Sequence, residues 1–232
     1  MRTVRSIISV LALVALTPAV SAAQSNRLFE NAWFWGAKFG LMNFSTGNNN
    51  STTAPLVGAE WLITRSRAGL YLSAEQAFFN TTGYVFDGNG QQYNVALKDS
   101  RRYTAALLAF PVNWGTLRPY GGVGFSLNLI QHATVDPSQF TDPDQVDVVN
   151  NQVHEERDRV AFLLMGGLQA QYKRFSVFGQ ATYMPARQNF FFSGRSTYIL
   201  EAGLRYNVGS SIDKTPKRPR APATSKNGGA TR

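Results

Sequence analysis

Six charged side chains have types and spacing that suit chemistry: Lys38, Glu60, Glu75, Arg102, Glu201 and Arg205. Each sits in a stretch where apolar and polar residues alternate, and each falls on the polar phase. Three cations stand against three carboxylates. Charges removed from water cost several kcal/mol each unless they are paired. Facing carboxylates can also do general acid–base work. The choice between an internal ion-pair network and a catalytic pair depends on what encloses the six residues.

Other candidates lie between 132 and 158. That segment holds half of all the acids: Asp136, Asp142, Asp144, Asp147, Glu155, Glu156 and Asp158. Close oxygen ligands suit Ca²⁺, but Asp142-Pro143-Asp144 lacks the glycine turn of an ion-wrapping loop. A solvated acidic loop is expected, and no metal site or cofactor is assigned. The two histidines, His132 and His154, are expected in the same loop. A histidine base must reach its nucleophile directly. In His132-Ala133-Thr134 a threonine stands where a His-x-Ser hydrolase has serine, so no enzyme is expected. No cysteine is present, which excludes disulfides and thiolate metal sites.

The positioning elements are eight alternating stretches: 33–44, 56–64, 69–79, 101–112, 118–131, 159–172, 175–184 and 196–208. A period of two argues for strands. Trp35, Ala37, Phe39 and Leu41 share one face of the first stretch, and Gly36, Lys38 and Gly40 the other. The connections alternate between short (65–68, 113–117, 173–174) and long (45–55, 80–100, 132–158, 185–195). Up-and-down membrane barrels have short periplasmic turns and long outer loops. Ten residues at about 3.3 Å each, tilted by about 45°, cover an apolar band of about 25 Å.

One face of the stretches is apolar and the other polar. A soluble ligand-binding barrel would turn its apolar face inward; here the charged face is expected inside. The outward aromatics form two tiers: Trp35, Trp61, Tyr172 and Tyr206 near the periplasmic ends, and Phe78, Tyr103, Phe162, Tyr183 and Tyr198 near the outer ends. Such tiers mark the two interfaces of a bilayer. The expected fold is therefore all-β: an eight-stranded antiparallel up-and-down transmembrane barrel.

Segment 1–23 reads as a signal peptide, with Arg2 and Arg5, an apolar run at 7–16, Pro18, and the small residues Val20-Ser21-Ala22-Ala23. The barrel domain is then 24–212. A Pro-, Lys- and Arg-rich tail, 213–232, is expected to be disordered in the periplasm. The formal net charge of +9 sits mostly in the leader and tail, which argues against nucleic acid as a partner. The tail reads first as a solvated spacer, with electrostatic contact to anionic periplasmic head groups or cell wall as the alternative.

Three local features resemble the small outer-membrane β-barrel proteins of Gram-negative bacteria. One is Leu117-Arg118-Pro119-Tyr120-Gly121-Gly122-Val123-Gly124, similar to that family's entry to the fifth strand. Another is the preceding strand and turn from Ala106 to Trp114, with Pro111 near the turn. The third is Glu201-Ala202-Gly203-Leu204-Arg205-Tyr206-Asn207-Val208. It is similar to the last-strand signal read by the barrel-assembly machinery, with Glu201, Gly203, Tyr206 and Val208 as the matching positions. The resemblance implies a bacterial outer-membrane location and outer-membrane lipids as neighbours.

An eight-stranded barrel is just wide enough for its own side chains. The six charges are therefore expected to plug the lumen, with Lys38 between Glu60 and Glu201 and with Arg102 near Glu75. The expected role is structural or surface-interacting. The alternatives are a narrow porin-like channel or carrier, and a lipid-modifying enzyme.

Overall fold

The computed structural model describes residues 29–46, 51–86, 90–140, 143–186, 192 and 195–210. The expected signal peptide and basic tail lie outside the described residues. Eight strands form one closed antiparallel barrel in sequence order. They are β1 (Ala32–Ser45), β2 (Ser51–Arg65), β3 (Ala68–Phe86), β4 (Gln92–Ala109), β5 (Leu117–Val135), β6 (Asp158–Tyr172), β7 (Phe175–Met184) and β8 (Thr197–Ser210). β8 pairs with β1 from Ala32↔Ser210 to Asn43↔Tyr198, which closes the sheet. This is the architecture expected from the alternation. In hydrocarbon every backbone N–H and C=O must find a partner within the protein, and a closed barrel leaves no edge.

The faces follow the period of two. Trp35, Phe39, Leu107, Phe125, Leu200 and Leu204 are exposed on the outer wall, Phe39 by 65% and Leu107 by 66%. The six charged residues are all buried inside. The barrel is thus of the outer-membrane type, apolar and aromatic outside and charged at its centre.

The interior is not polar throughout. Phe29, Phe34, Leu62 and Phe110 fill the end nearest the short turns, with Phe29 edge-on to Phe110 at 4.8 Å. Phe44, Phe79 and Phe192 meet at the other end, with ring centroids 4.5–5.8 Å apart. Apolar tiers therefore flank a charged middle layer. A bore this narrow packs like a core, so its ends take whatever fills them best.

Two of the four connections expected to be long are short. Strands β3 and β4 run on to Phe86 and back from Gln92, so most of 80–100 is a projecting hairpin. β2 likewise begins at Ser51, which leaves only 46–50 between β1 and β2. Nineteen residues of β3 at about 3.3 Å each exceed the membrane band by far. A register shift between Ala77 and Asn80, opposite Asp99 at φ 55°, carries the strands past the membrane. Asp99 Oδ1 accepts the Phe79 N–H there at 3.1 Å.

The acidic segment also differs from a bare loop. Its start belongs to β5, and Pro143–Glu156 forms a helix, α1. Pro143 opens the helix at the position where its missing N–H costs nothing. Val149 and Val153 are buried, and the helix packs against β5, β3 and β6. Tyr93 stacks on Phe140 at 4.5 Å beside it. The apolar core of the barrel thus continues upward under α1.

A cation placed on the outer wall tests this orientation. Phe39→Arg should destabilise the barrel by about 2–4 kcal/mol, the cost of a cation near mid-bilayer, as read by urea unfolding in lipid vesicles. A soluble barrel with a solvated outer face would lose little or gain.

Candidate lumenal charge network

The six charges meet through gaps that glycines leave in the inner wall. Across β1, Glu60 pairs with Gly36 and Gly36 pairs with Arg205. Gly36 has no side chain, so Glu60 and Arg205 join over it. A Cβ at Gly36 would sit 2.8 Å from Glu60 Oε1. The same device recurs at Gly58, which lies between Lys38 on β1 and Glu75 on β3. A Cβ there would sit 2.7 Å from Glu75 Cγ.

The ion pairs follow these rows. Arg205 Nε donates to Glu60 Oε1, and its Nη2 lies 3.3 Å from Glu60 Oε2. Its Nη1 donates to Gln169 Oε1 at 2.7 Å. Its guanidinium lies 3.8 Å from the centroid of the Phe178 ring. Lys38 Nζ bridges Glu75 and, at 2.9 Å, Glu201 Oε1. It also donates to Tyr71 Oη at 2.6 Å. Arg102 Nη2 donates to Glu75 Oε2, its direct cross-strand partner, and lies 3.6 Å from Glu201 Oε1.

Two of the expected neighbours therefore meet and one does not. Lys38 reaches Glu201, and Arg102 reaches Glu75. Glu60 does not take Lys38; it takes Arg205, and Lys38 turns to Glu75. The reason is register. Lys38 sits opposite Gly58, one inward step along β2 from Glu60.

Neutral groups join the two clusters. Gln180 Nε2 donates to Glu201 Oε2 at 2.7 Å and to Tyr71 Oη at 3.2 Å. Tyr120 Oη donates to Gln180 Oε1 at 3.0 Å. The Arg205 guanidinium lies 5.4 Å from the Tyr120 ring centroid. Ser73 Oγ donates to Glu75 Oε1 at 2.7 Å. The charged layer thus draws on β1, β2, β3, β4, β5, β6, β7 and β8 at once. Tyr120 and Arg118 were not placed in the lumen from the sequence. Their phase with Gly122, Gly124 and Ser126 was the signal. Arg118 is buried, lies 4.2 Å from the Phe29 ring centroid, and donates to Gln171 Oε1 at 2.8 Å.

The other candidates stay apart. His132 belongs to β5 and faces solvent opposite Lys98; His154 is exposed on α1. Among the described residues no three His, Cys, Asp or Glu side chains converge on a metal-sized site. Asp142 lies outside the described residues. The Asp136 carboxyl is held below the usual carboxylate range by the backbone N–H and hydroxyl of Ser138. In the aromatic run at 189–192, Asn189, Phe190 and Phe191 lie outside the described residues. Phe192 is buried against Phe44 and Phe79 at the barrel mouth. Of the last-strand signal, Glu201 and Gly203 point inward, and Tyr206 and Val208 face outward.

No family model matches the chain, and no curated protein matches it. Among solved structures, Neisserial surface protein A is similar at 13% identity, covering 75% of this chain and 96% of that one, with a TM-score of 0.48. OprG, an outer membrane protein from Pseudomonas aeruginosa, is similar at 12% identity, covering 79% and 99%, with a TM-score of 0.47. Ail, the attachment invasion locus protein of Yersinia pestis, is similar at 12% identity, covering 76% and 99%, with a TM-score of 0.45.

The Glu60–Arg205 pair gives a direct test of the network's energetics. Glu60→Gln alone should cost about 3–5 kcal/mol, because it strands a buried guanidinium. In an Arg205→Met background the same change should cost far less. Urea unfolding of the four proteins in vesicles completes the cycle; equal losses in both backgrounds would show that the two residues are not coupled.

Proposed function

We propose that this protein is a structural or surface-interaction barrel of the bacterial outer membrane whose lumen is plugged by its own side chains. The observation that carries the reading is the charged layer. Lys38, Glu75, Arg102 and Glu201 reach one another across the bore from four strands, and apolar tiers of Phe29, Phe34 and Phe110 and of Phe44, Phe79 and Phe192 flank it. A path for ions would have to open both tiers and separate paired charges. Recognition then rests on the parts beyond the membrane: the β3–β4 hairpin, α1 and the long loops.

With the short turns in the periplasm, the outer wall meets outer-membrane lipids and the tail reaches anionic head groups or cell wall. β8 carries the signal for the barrel-assembly machinery through Glu201, Gly203, Tyr206 and Val208. No catalytic role is assigned.

One observation favours a narrow conducting path instead. Arg102 Nε and Nη1 and Gln169 Nε2 are buried without a hydrogen-bond partner among the described residues. Buried donors of this kind usually have a partner, and water along the bore would supply it.

Planar-bilayer conductance separates the two. The plugged reading expects no discrete openings from the refolded parent, and leakage from Lys38→Met, which removes the cation shared by Glu75 and Glu201. Discrete openings in the parent, with ion selectivity altered by Lys38→Met, would overturn it.

A further inference from the structure

The short turns carry a second charge pattern, outside the lumen. Three of them close the turn end of the barrel, and all three are built alike. Ser66, Gly115 and Lys173 take left-handed backbone angles of 50°, 74° and 53°. The next residue in each turn accepts a backbone N–H from a residue in, or just past the end of, the neighbouring even-numbered strand. Arg67 O accepts from Phe110 at 2.7 Å, Thr116 O from Gln171 at 2.9 Å, and Arg174 O from Asn207 at 2.7 Å. Two arginines are thereby pinned to opposite sides of the rim.

Each arginine has a second cation and a patch of aromatic rings beside it. At the β2–β3 turn, Arg65 continues the lipid-facing phase of Trp61 and Ile63. Trp61 stacks on Trp35 at 5.4 Å and meets Trp33 edge-on at 5.5 Å. At the β6–β7 turn, the Lys173 ammonium lies 5.3 Å from the Tyr172 ring centroid, and Phe175 packs on Tyr206 at 5.0 Å. Arg65, Arg67, Lys173 and Arg174 are all exposed. Among the described residues at this rim, Glu30 is the sole carboxylate. At the loop end, by contrast, Lys98, Arg101, Arg157, Arg159 and Arg195 are interspersed with Asp99, Asp136, Asp147 and Asp158, and Arg157 pairs with Asp158 at 3.4 Å.

Aromatic rings at the head-group level with cations one step further out match the layering of a phospholipid, with acyl chain, glycerol and phosphate in that order. We infer that the two turns, Arg65-Ser66-Arg67 and Lys173-Arg174, form a paired site for the phosphates of anionic phospholipids in the leaflet that faces them. The inference rests on the membrane placement proposed above but not on the state of the lumen. A zwitterionic head group brings its own ammonium against these cations, so the site favours a phosphate without one. Attraction of this kind runs to about fivefold per cation near an anionic surface and weakens with salt.

The test refolds the chain into vesicles of equal phosphatidylglycerol and phosphatidylcholine. Native mass spectrometry after mild detergent release then counts the retained lipids. The parent should retain phosphatidylglycerol over phosphatidylcholine by about tenfold or more at low salt. Arg65→Gln/Arg67→Gln/Lys173→Asn/Arg174→Gln should bring the ratio close to one; asparagine suits the left-handed angle at 173. A second variant, with glutamine at the six Lys and Arg positions of 213–232, should keep the preference. Heat-modifiable gel mobility shows that each variant is folded. No preference in the parent, preference surviving the four turn substitutions, or loss with the tail variant alone would each overturn the site. So would a turn variant that loses binding only to isolated cell wall. A conducting lumen would sink the plugged reading and leave this lipid ratio unchanged.

Discussion

Closure of the sheet is the constraint from which the rest of the structure follows. A strand in hydrocarbon cannot leave its edge unpaired, so β8 must return to β1. With eight strands the bore is fixed at about the width of the side chains that line it. The inward face therefore obeys the rules of a core: large groups need small neighbours, and charges need partners.

Glycine supplies the small neighbours. Gly36 and Gly58 let carboxylates and cations on flanking strands meet across a strand that contributes no side chain. Gly203 does the same for Phe178, whose ring would lie 2.7 Å from a Cβ at that position. Gly203 also belongs to the last-strand motif, so one residue serves both lumen packing and that resemblance. Charge pairing and shape complementarity are in this way one arrangement. Breaking a pair strands a buried charge, and filling a glycine gap pushes the pair apart.

Much of this was legible in the alternation. A period of two placed Lys38, Glu60, Glu75, Arg102, Glu201 and Arg205 on one face, and it separated Trp35 and Phe39 from them. It could not fix which charge meets which. Parity survives any even shift of register, and only the observed pairing puts Gly58, and not Glu60, opposite Lys38. The outer part was less legible. Asn80-Thr81-Thr82-Gly83 has turn-like composition, yet it continues β3 because a register shift opposite Asp99 carries both strands beyond the membrane. In 143–156 the acids drew attention to ion binding. The apolar spacing of Val146, Val149 and Val153, behind a proline at the first helical position, was the better guide to α1.

Direct satisfaction of the lumenal charges by one another is what a plugged barrel requires. Solid-state NMR of the barrel in lipid, with ¹⁵N-labelled lysine and ¹³C-labelled glutamate, addresses it at one residue. A strong through-space contact is expected from Lys38 Nζ to the side-chain carboxyl carbons of Glu75 and Glu201, with slow exchange of the ammonium protons. Rapid exchange with bulk water and no carboxyl contact would contradict it, because Lys38 would then face an open aqueous path.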